Sequence, residues 1–311
     1  MTSDKSPLFE RAAIIGVGLI GASLAHAMRA GGAAKAIVGF DAKAETAKRA
    51  ADLKIIDEAC GDLSAAIKGA DLVVVATPVG ATAALFREIG EKAEAGALVI
   101  DVGSVKGIVA KAAASADKRV HFVPCHPVAG TEQSGPEAGF AALFRDRWCI
   151  LTPLDRSDAA YRAAVEKATA LWRAVGSNVE TMDPAHHDLA LAVTSHLPHL
   201  IAFTLVGAAD DIETVAEAEV VKYSAGGFRD FTRIAASDPV MWRDVFLTNR
   251  EAVLEVLGRF AEELAVLQRA IRWGDGEALA KAFTRGRALR RAIVEAGQEK
   301  DIPNFGRDED A

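Results

Sequence analysis

Only three cysteines occur in 311 residues, Cys60, Cys125 and Cys149, an odd number spread far apart. That excludes a disulfide framework and suits reduced, buried thiols, and none stands in metal-ligand spacing, so no metal is expected. Cys125 adjoins His126, but neighbours on a strand point to opposite faces, which makes the thiol structural rather than a nucleophile. Positive charge is also in deficit. With 36 Lys and Arg against 43 Asp and Glu, the net charge is −7 and the pI near 5.6, no basis for an electrostatic nucleic-acid surface. No uninterrupted apolar stretch reaches the roughly 18 residues of a membrane span, and residues 1–10 lack a signal-peptide core. A cytoplasmic protein without a membrane partner is expected. Repeats and low-complexity segments are missing, and the polar tail Gln298–Ala311, with Pro303, is expected to fray or be disordered.

What is present begins with a strand-turn-helix. The apolar run Ala12, Ala13, Ile14, Ile15 breaks into Gly16, Val17, Gly18, Leu19, Ile20, Gly21 and continues as an Ala-rich helix to about Met28. In a G-x-G-x-x-G turn the first glycine allows the tight bend, the second lets the backbone approach a pyrophosphate, and the third lets the helix pack on its strand. The free N–H groups of the helix start then face the phosphates. A second apolar run, Ala36–Phe40, ends in Asp41, twenty positions past Gly21, where a carboxylate can hold both ribose hydroxyls. Asp41 would repel a 2′-phosphate, so NAD is expected over NADP.

The alternation continues. A helix is expected over about 43–52, a buried strand over 71–76 ending at Thr77-Pro78, a helix over 81–93 and a strand over 97–102. Further strands follow near 120–124 and 148–151, then a helix over about 157–175 and a strand near 178–182. This predicts a doubly wound, Rossmann-type parallel sheet over residues 1–182, with ligands beyond the carboxyl ends of its strands. Past Asp183-Pro184, an N-cap followed by proline, no strand is expected, and residues 183–311 read as helical. Pro198 should kink a helix over 184–208 and free the carbonyl of Thr194. Asp238-Pro239 opens a helical pattern running to about Trp273, roughly 50 Å long. One small domain cannot cover all of its apolar stripe (Phe246, Val253, Leu257, Phe260, Leu264, Leu267, Ile271), so part of it is expected to pack against a second subunit.

Three stretches could carry chemistry. Asp101–Lys106 places Ser104 in a glycine turn, either as a helix cap or as a hydroxyl offered to a ligand. His126–Gly135 places a histidine after a strand and before a glycine-bearing loop, either structural or a base with an ordinary pKa near 6.5. In the helical half, Ser195 and His199 share a helix face with His196 nearby. The stretch Gly226–Arg233 carries Asp230 and Arg233, either a surface ion pair or an arginine grip on a carboxylate.

Taken together, GVGLIGAS (16–23), DVGSVK (101–106), HPVAGTEQSG (126–135), SHLPH (195–199) and GGFRDFTRIAASDP (226–239) resemble the prephenate/arogenate dehydrogenase family of tyrosine biosynthesis, over about residues 10–295. The resemblance implies NAD(P)-dependent oxidative decarboxylation of a cyclohexadienol by a dinucleotide domain followed by a helical dimerisation domain. It implies His126 as the base, oriented by Ser104, Arg233 on a substrate carboxylate and His199 on the substrate side chain. Glu132 would gate the pocket opposite Arg233, Gly226 and Asp230 would shape the arginine segment, and Trp242 would reach toward the neighbouring subunit's site. Cofactor contacts would fall to Gly16, Gly18, Leu19, Ile20, Gly21, Asp41, Thr77, Pro78 and Ser104. The competing readings are another two-domain NAD enzyme, such as a 3-hydroxyacid dehydrogenase or imine reductase, and a catalytically silent NAD-binding dimer.

Overall fold

The apolar run that opens the chain becomes strand β1 (Phe9–Ile15), buried at all but Glu10 and Arg11, and helix α1 (Leu19–Ala30) follows it. The computed structural model describes residues 6–116, 119–210 and 225–295; the tail Gln298–Ala311 lies outside them. Then come β2 (Ala34–Phe40), α2 (Ala44–Asp52), β3 (Glu58–Ala59), α3 (Leu63–Ile67), β4 (Leu72–Val75) and α4 (Thr82–Lys92). The sheet continues with β5 (Leu98–Asp101), α5 (Gly107–Ser115), β6 (His121–Pro127), β7 (Trp148–Leu151), α6 (Ala159–Ala174) and β8 (Asn178–Thr181). Strand order is β3-β2-β1-β4-β5-β6-β7-β8. Every residue of β4 and β5 is buried, as expected of strands covered on both faces. Phe9, Ile14, Tyr161 and Trp172 fill one face, and Ile15, Val73, Phe86 and Phe122 fill the other.

The sheet is not wholly parallel. β6 and β7 pair antiparallel, with His126 opposite Ile150, while the remaining pairs are parallel. Between them residues 128–147 contain only short 3₁₀ turns rather than a crossover helix, so the chain doubles back.

In the helical half Asp183 caps α7 (Pro184–Leu191) by accepting from the amides of Ala185 and His186. The irregularity expected at Pro198 takes the form of a π turn, Ala192–His196, one turn ahead of the proline, and α8 (Leu197–Asp210) continues from it. Leu197 N donates to Ala192 O, five residues back. Contrary to the count of apolar runs, Pro184–Ala209 is long and apolar enough to cross a membrane by length and composition. A few interspersed polar residues do not prevent that. Here it is a domain helix whose His187, Asp188 and His196 are buried against other parts of the chain, while Val193 and Val206 stay exposed.

The chain then forms α9 (Gly226–Thr232), α10 (Pro239–Thr248), α11 (Arg250–Trp273) and α12 (Gly276–Glu295). Asp238 caps α10 through the amides of Val240 and Met241. The long helix expected from 239 to 273 is broken at Asn249 (φ −105, ψ 32), whose side chain is buried in contacts described below. α11 alone is 24 residues, about 36 Å. The first half of the apolar stripe is covered within the chain, Val253 being buried with Phe246, Leu257 and Phe260 packed beside it on Ala192 and Leu197, whereas Leu264 and Ile271 farther along, with Trp273, Phe283 and Leu289, are each more than half exposed.

Candidate active site

The glycine turn is held by contacts that leave no room for side chains. Gly16 has φ +94, and a Cβ there would lie 2.6 Å from the carbonyl oxygen of Ala76; one on Gly21 would lie 2.1 Å from that of Gly16. A Cβ on Gly18 would meet nothing within 4 Å, so the turn is open on the side where a phosphate would approach. No side chain caps α1, whose first turn holds Leu19 and Ile20. Asp41, beyond the end of β2, accepts from Val17 N (3.0 Å) and Lys43 N (2.9 Å), which fixes its carboxylate beside the turn. Thr77, beyond β4, packs on Gly16, and its buried hydroxyl has no hydrogen-bond partner among the described residues; Pro78 follows it. An open anion-binding helix start, a fixed carboxylate and an unpaired hydroxyl at adjacent strand ends fit a dinucleotide.

Next along the sheet, β5 ends in Asp101 and β6 carries His126 near its own end. Lys106, fully buried, forms an ion pair with Asp101 and donates to Cys125 O at 2.7 Å. Asp101 also accepts from Gly103 N (2.9 Å) and Cys125 N (3.1 Å). One buried pair therefore ties the Ser104 loop to the backbone immediately before His126. Cys125 and Cys149 are buried free thiols, and burial pushes Cys149 well up from its ordinary value. Ser104 does not cap α5. That task falls to Asp188 of α7, which accepts from Lys106 N at 2.7 Å and Gly107 N at 2.8 Å, so the serine hydroxyl is left unengaged among the described residues.

His126 is buried, and its Nδ1 lies 2.8 Å from His187 Nε2; His187 Nδ1 in turn lies 2.9 Å from Asp188 Oδ1. Burial, and then the charges of His187, Lys106 and His196, hold the His126 imidazole well below its ordinary pKa. His187 is lowered by burial too, with Asp188 working in the opposite direction.

The helical half supplies the far wall. Asn249 Nδ2 donates to Asp188 O (2.8 Å) and lies 3.0 Å from His196 Nδ1, which explains why the long helix breaks there. Burial pushes His196 down to about 4. His199 Nδ1 bonds the backbone carbonyl of Ser195, not its hydroxyl, and its ring stacks on Trp242 at 3.7 Å between centroids. Trp242 does not extend away from its own chain: it is buried with Val245 against the nucleotide half. Asp230 and Arg233 do not pair. Asp230 meets Arg229, whereas Arg233 reaches Glu132 at 3.1 Å, bringing the 226–233 stretch onto the His126 loop. Gly226 starts α9 one turn ahead of Asp230.

Residues 24–181 match the family model described as prephenate dehydrogenase, nucleotide-binding domain, and residues 183–285 that described as prephenate dehydrogenase, dimerization domain. The chain belongs to the prephenate dehydrogenase family. A cyclohexadienyl dehydrogenase of Zymomonas mobilis is 38% identical over 286 residues, 92% of this chain and 97% of that protein. A prephenate dehydrogenase of Bacillus subtilis is 34% identical over 94% of this chain and 78% of its own length. Among solved structures, a prephenate dehydrogenase of A. aeolicus in complex with hydroxyphenyl propionate and NAD+ superposes with a TM-score of 0.81 at 34% identity, covering 94% of this chain and all of that one. In this member of the prephenate dehydrogenase family, sequence reasoning missed Lys106, His187, Asp188 and Asn249. Only the two adjacent histidines followed by aspartate at 186–188 offered a signal, and that run had no visible tie to His126.

Proposed function

We propose that the protein catalyses the NAD-dependent oxidative decarboxylation of prephenate to 4-hydroxyphenylpyruvate, of arogenate to tyrosine, or of both, as a cytoplasmic homodimer. The observation that carries the reading is His126, a neutral imidazole at a strand end between the dinucleotide turn and the Arg233–Glu132 pair. The uncovered apolar faces of α11 and α12 support the homodimer, and three buried free thiols suit a reducing compartment.

When bound, NAD supplies the hydride acceptor. Gly16, Gly18, Leu19, Ile20 and Gly21 would hold its pyrophosphate, Asp41 its ribose, and Thr77, Pro78 and Ser104 the end toward the nicotinamide. Arg233 releases Glu132 to grip a substrate carboxylate, and His199, braced on Trp242, contacts the side chain with Ser195 and His196 behind it. Gly226 and Asp230 shape the arginine segment. Ser104 orients the ring hydroxyl, and His126 Nε2 takes its proton as hydride leaves the same ring carbon. The bond to the ring carboxylate then breaks, CO2 departs, and its electron pair aromatises the ring; the proton on His126 can return to the phenolate oxygen. The protein's part is positioning, one base and anion recognition.

Turnover of prephenate and arogenate with NAD tests the activity, and absence of both would leave a silent NAD-binding dimer. His126→Asn is expected to cut kcat by about 10²- to 10⁴-fold with NAD affinity nearly unchanged, and to remove the acidic limb of kcat/KM. Near-normal kcat with the same pH profile would move the base elsewhere, with His199 next.

A further inference from the structure

Resting on the reading of His126 as the base, we infer that His187 and Asp188 are positioning residues that set its tautomer and hold the charge it acquires. The direction of every hydrogen bond in this chain follows from one fixed point. Asp188 already accepts two backbone amides, Lys106 N on Oδ1 and Gly107 N on Oδ2, and a carboxylate oriented by donors in this way offers His187 Nδ1 an acceptor only. His187 Nδ1 therefore carries the proton, at 2.9 Å from Oδ1, and its Nε2 holds a lone pair. That lone pair lies 2.8 Å from His126 Nδ1, which must be the donor. His126 Nε2 is left unprotonated, free to accept from a substrate hydroxyl.

When Nε2 takes that proton, the new positive charge is shared along Nδ1–H to His187 and on to the carboxylate. No further co-reactant is needed, and return of the proton restores the starting tautomers. Asp188 has a second tie. Its bonds to the start of α5 hold the segment that follows the Ser104 turn, so the hydroxyl's loop and the base are referenced to one carboxylate, itself held by Asn249 through its backbone carbonyl. The bonds His126–His187 and His187–Asp188, with Asp188 itself fixed by two amides, leave the imidazole little freedom to flip.

The test uses the intact dimer labelled with ¹⁵N at histidine, near neutral pH. Imidazole nitrogen shifts, assigned with His126→Asn and His187→Gln, are expected to show His126 and His187 both protonated at Nδ1. His126 protonated at Nε2 would overturn the inference, and this measurement needs no variant to be active. In kinetics, His187→Leu removes the acceptor and is expected to lower kcat by about 100-fold with NAD affinity unchanged, while His126 shifts toward the Nε2–H form. His187→Gln keeps an acceptor oxygen within reach of His126 Nδ1 and should restore most of kcat and the Nδ1–H tautomer. A structural role alone would leave the tautomer the same in both variants. If His126→Asn abolishes turnover while His187→Leu keeps kcat within about twofold, the relay fails and the base stands. If His126→Asn is nearly silent, the base reading itself fails.

Discussion

Acidification tests the histidine cluster through stability rather than rate. Burial is the leading cause that lowers His126, His187, His196 and His199, and for His196 the value is pushed to about 4. In the unfolded chain the same imidazole takes its proton as the pH falls through about 6.5. The folded form stays neutral until about 4, so across that window the unfolded state binds more protons and stability falls with pH; above about 6.5 nothing is lost. At about 1.4 kcal/mol per pH unit, His196 alone removes about 2 kcal/mol between about pH 7.5 and pH 5. His126, which burial also holds well below its ordinary value, adds in the same direction. The assay is denaturant unfolding at fixed protomer concentration at the two pH values, comparing wild type with His196→Asn. The variant is expected to be weaker at neutral pH, through the altered contact with Asn249, but to lose about 2 kcal/mol less on acidification. Parallel losses in the two proteins would refute the assignment of a buried neutral His196.

Asp41→Ser is expected to shift preference toward NADP by removing the charge that repels a 2′-phosphate, read from initial rates with both cofactors; a wild type that already favours NADP would defeat this. Arg233→Ala should chiefly raise KM for the acidic substrate with a smaller change in kcat, and an unchanged KM would remove Arg233 from substrate binding. Light scattering at micromolar concentration should give a homodimer, and Leu264→Glu on the exposed face of α11 should weaken it; a monomeric wild type would leave that face unexplained.

Much of the fold was legible because its signals are local. Gly16 and Gly21 mark places where a Cβ would strike backbone, Asp183 and Asp238 cap the helices they announce, and the all-apolar β4 is buried throughout. Strand direction is a different matter, since Trp148–Leu151 has the same composition whichever way it runs. The absence of a helix between 128 and 147 was the available cue. Proline at 198 foretold an irregularity, but it takes the form of a π turn rather than a simple kink. No glycine or proline marks the break at Asn249, because an interior hydrogen bond makes it rather than a local preference.

The same division governs the site. Three of the residues proposed from the sequence lie beside a glycine turn or where a strand gives way to a loop: Ser104 beside Gly103, His126 before its glycine loop, Arg233 after Gly226-Gly227. His187 and Asp188 occupy ordinary α-helical positions in α7, His187 61 residues from His126 and Asp188 81 and 82 residues from the Gly107 and Lys106 amides it accepts. A histidine in a helix interior has no local signature, and its partner is fixed only once α7 lies across the start of α5. The local pairings open to Ser104 and Arg233 are both displaced by the same packing. Asp188 occupies the amides that Ser104 would have capped, and Glu132 occupies the guanidinium that Asp230 would have paired, so long-range carboxylates displaced the local ones in both cases. That displacement leaves the serine hydroxyl unengaged among the described residues and holds the arginine in an ion pair half open to solvent.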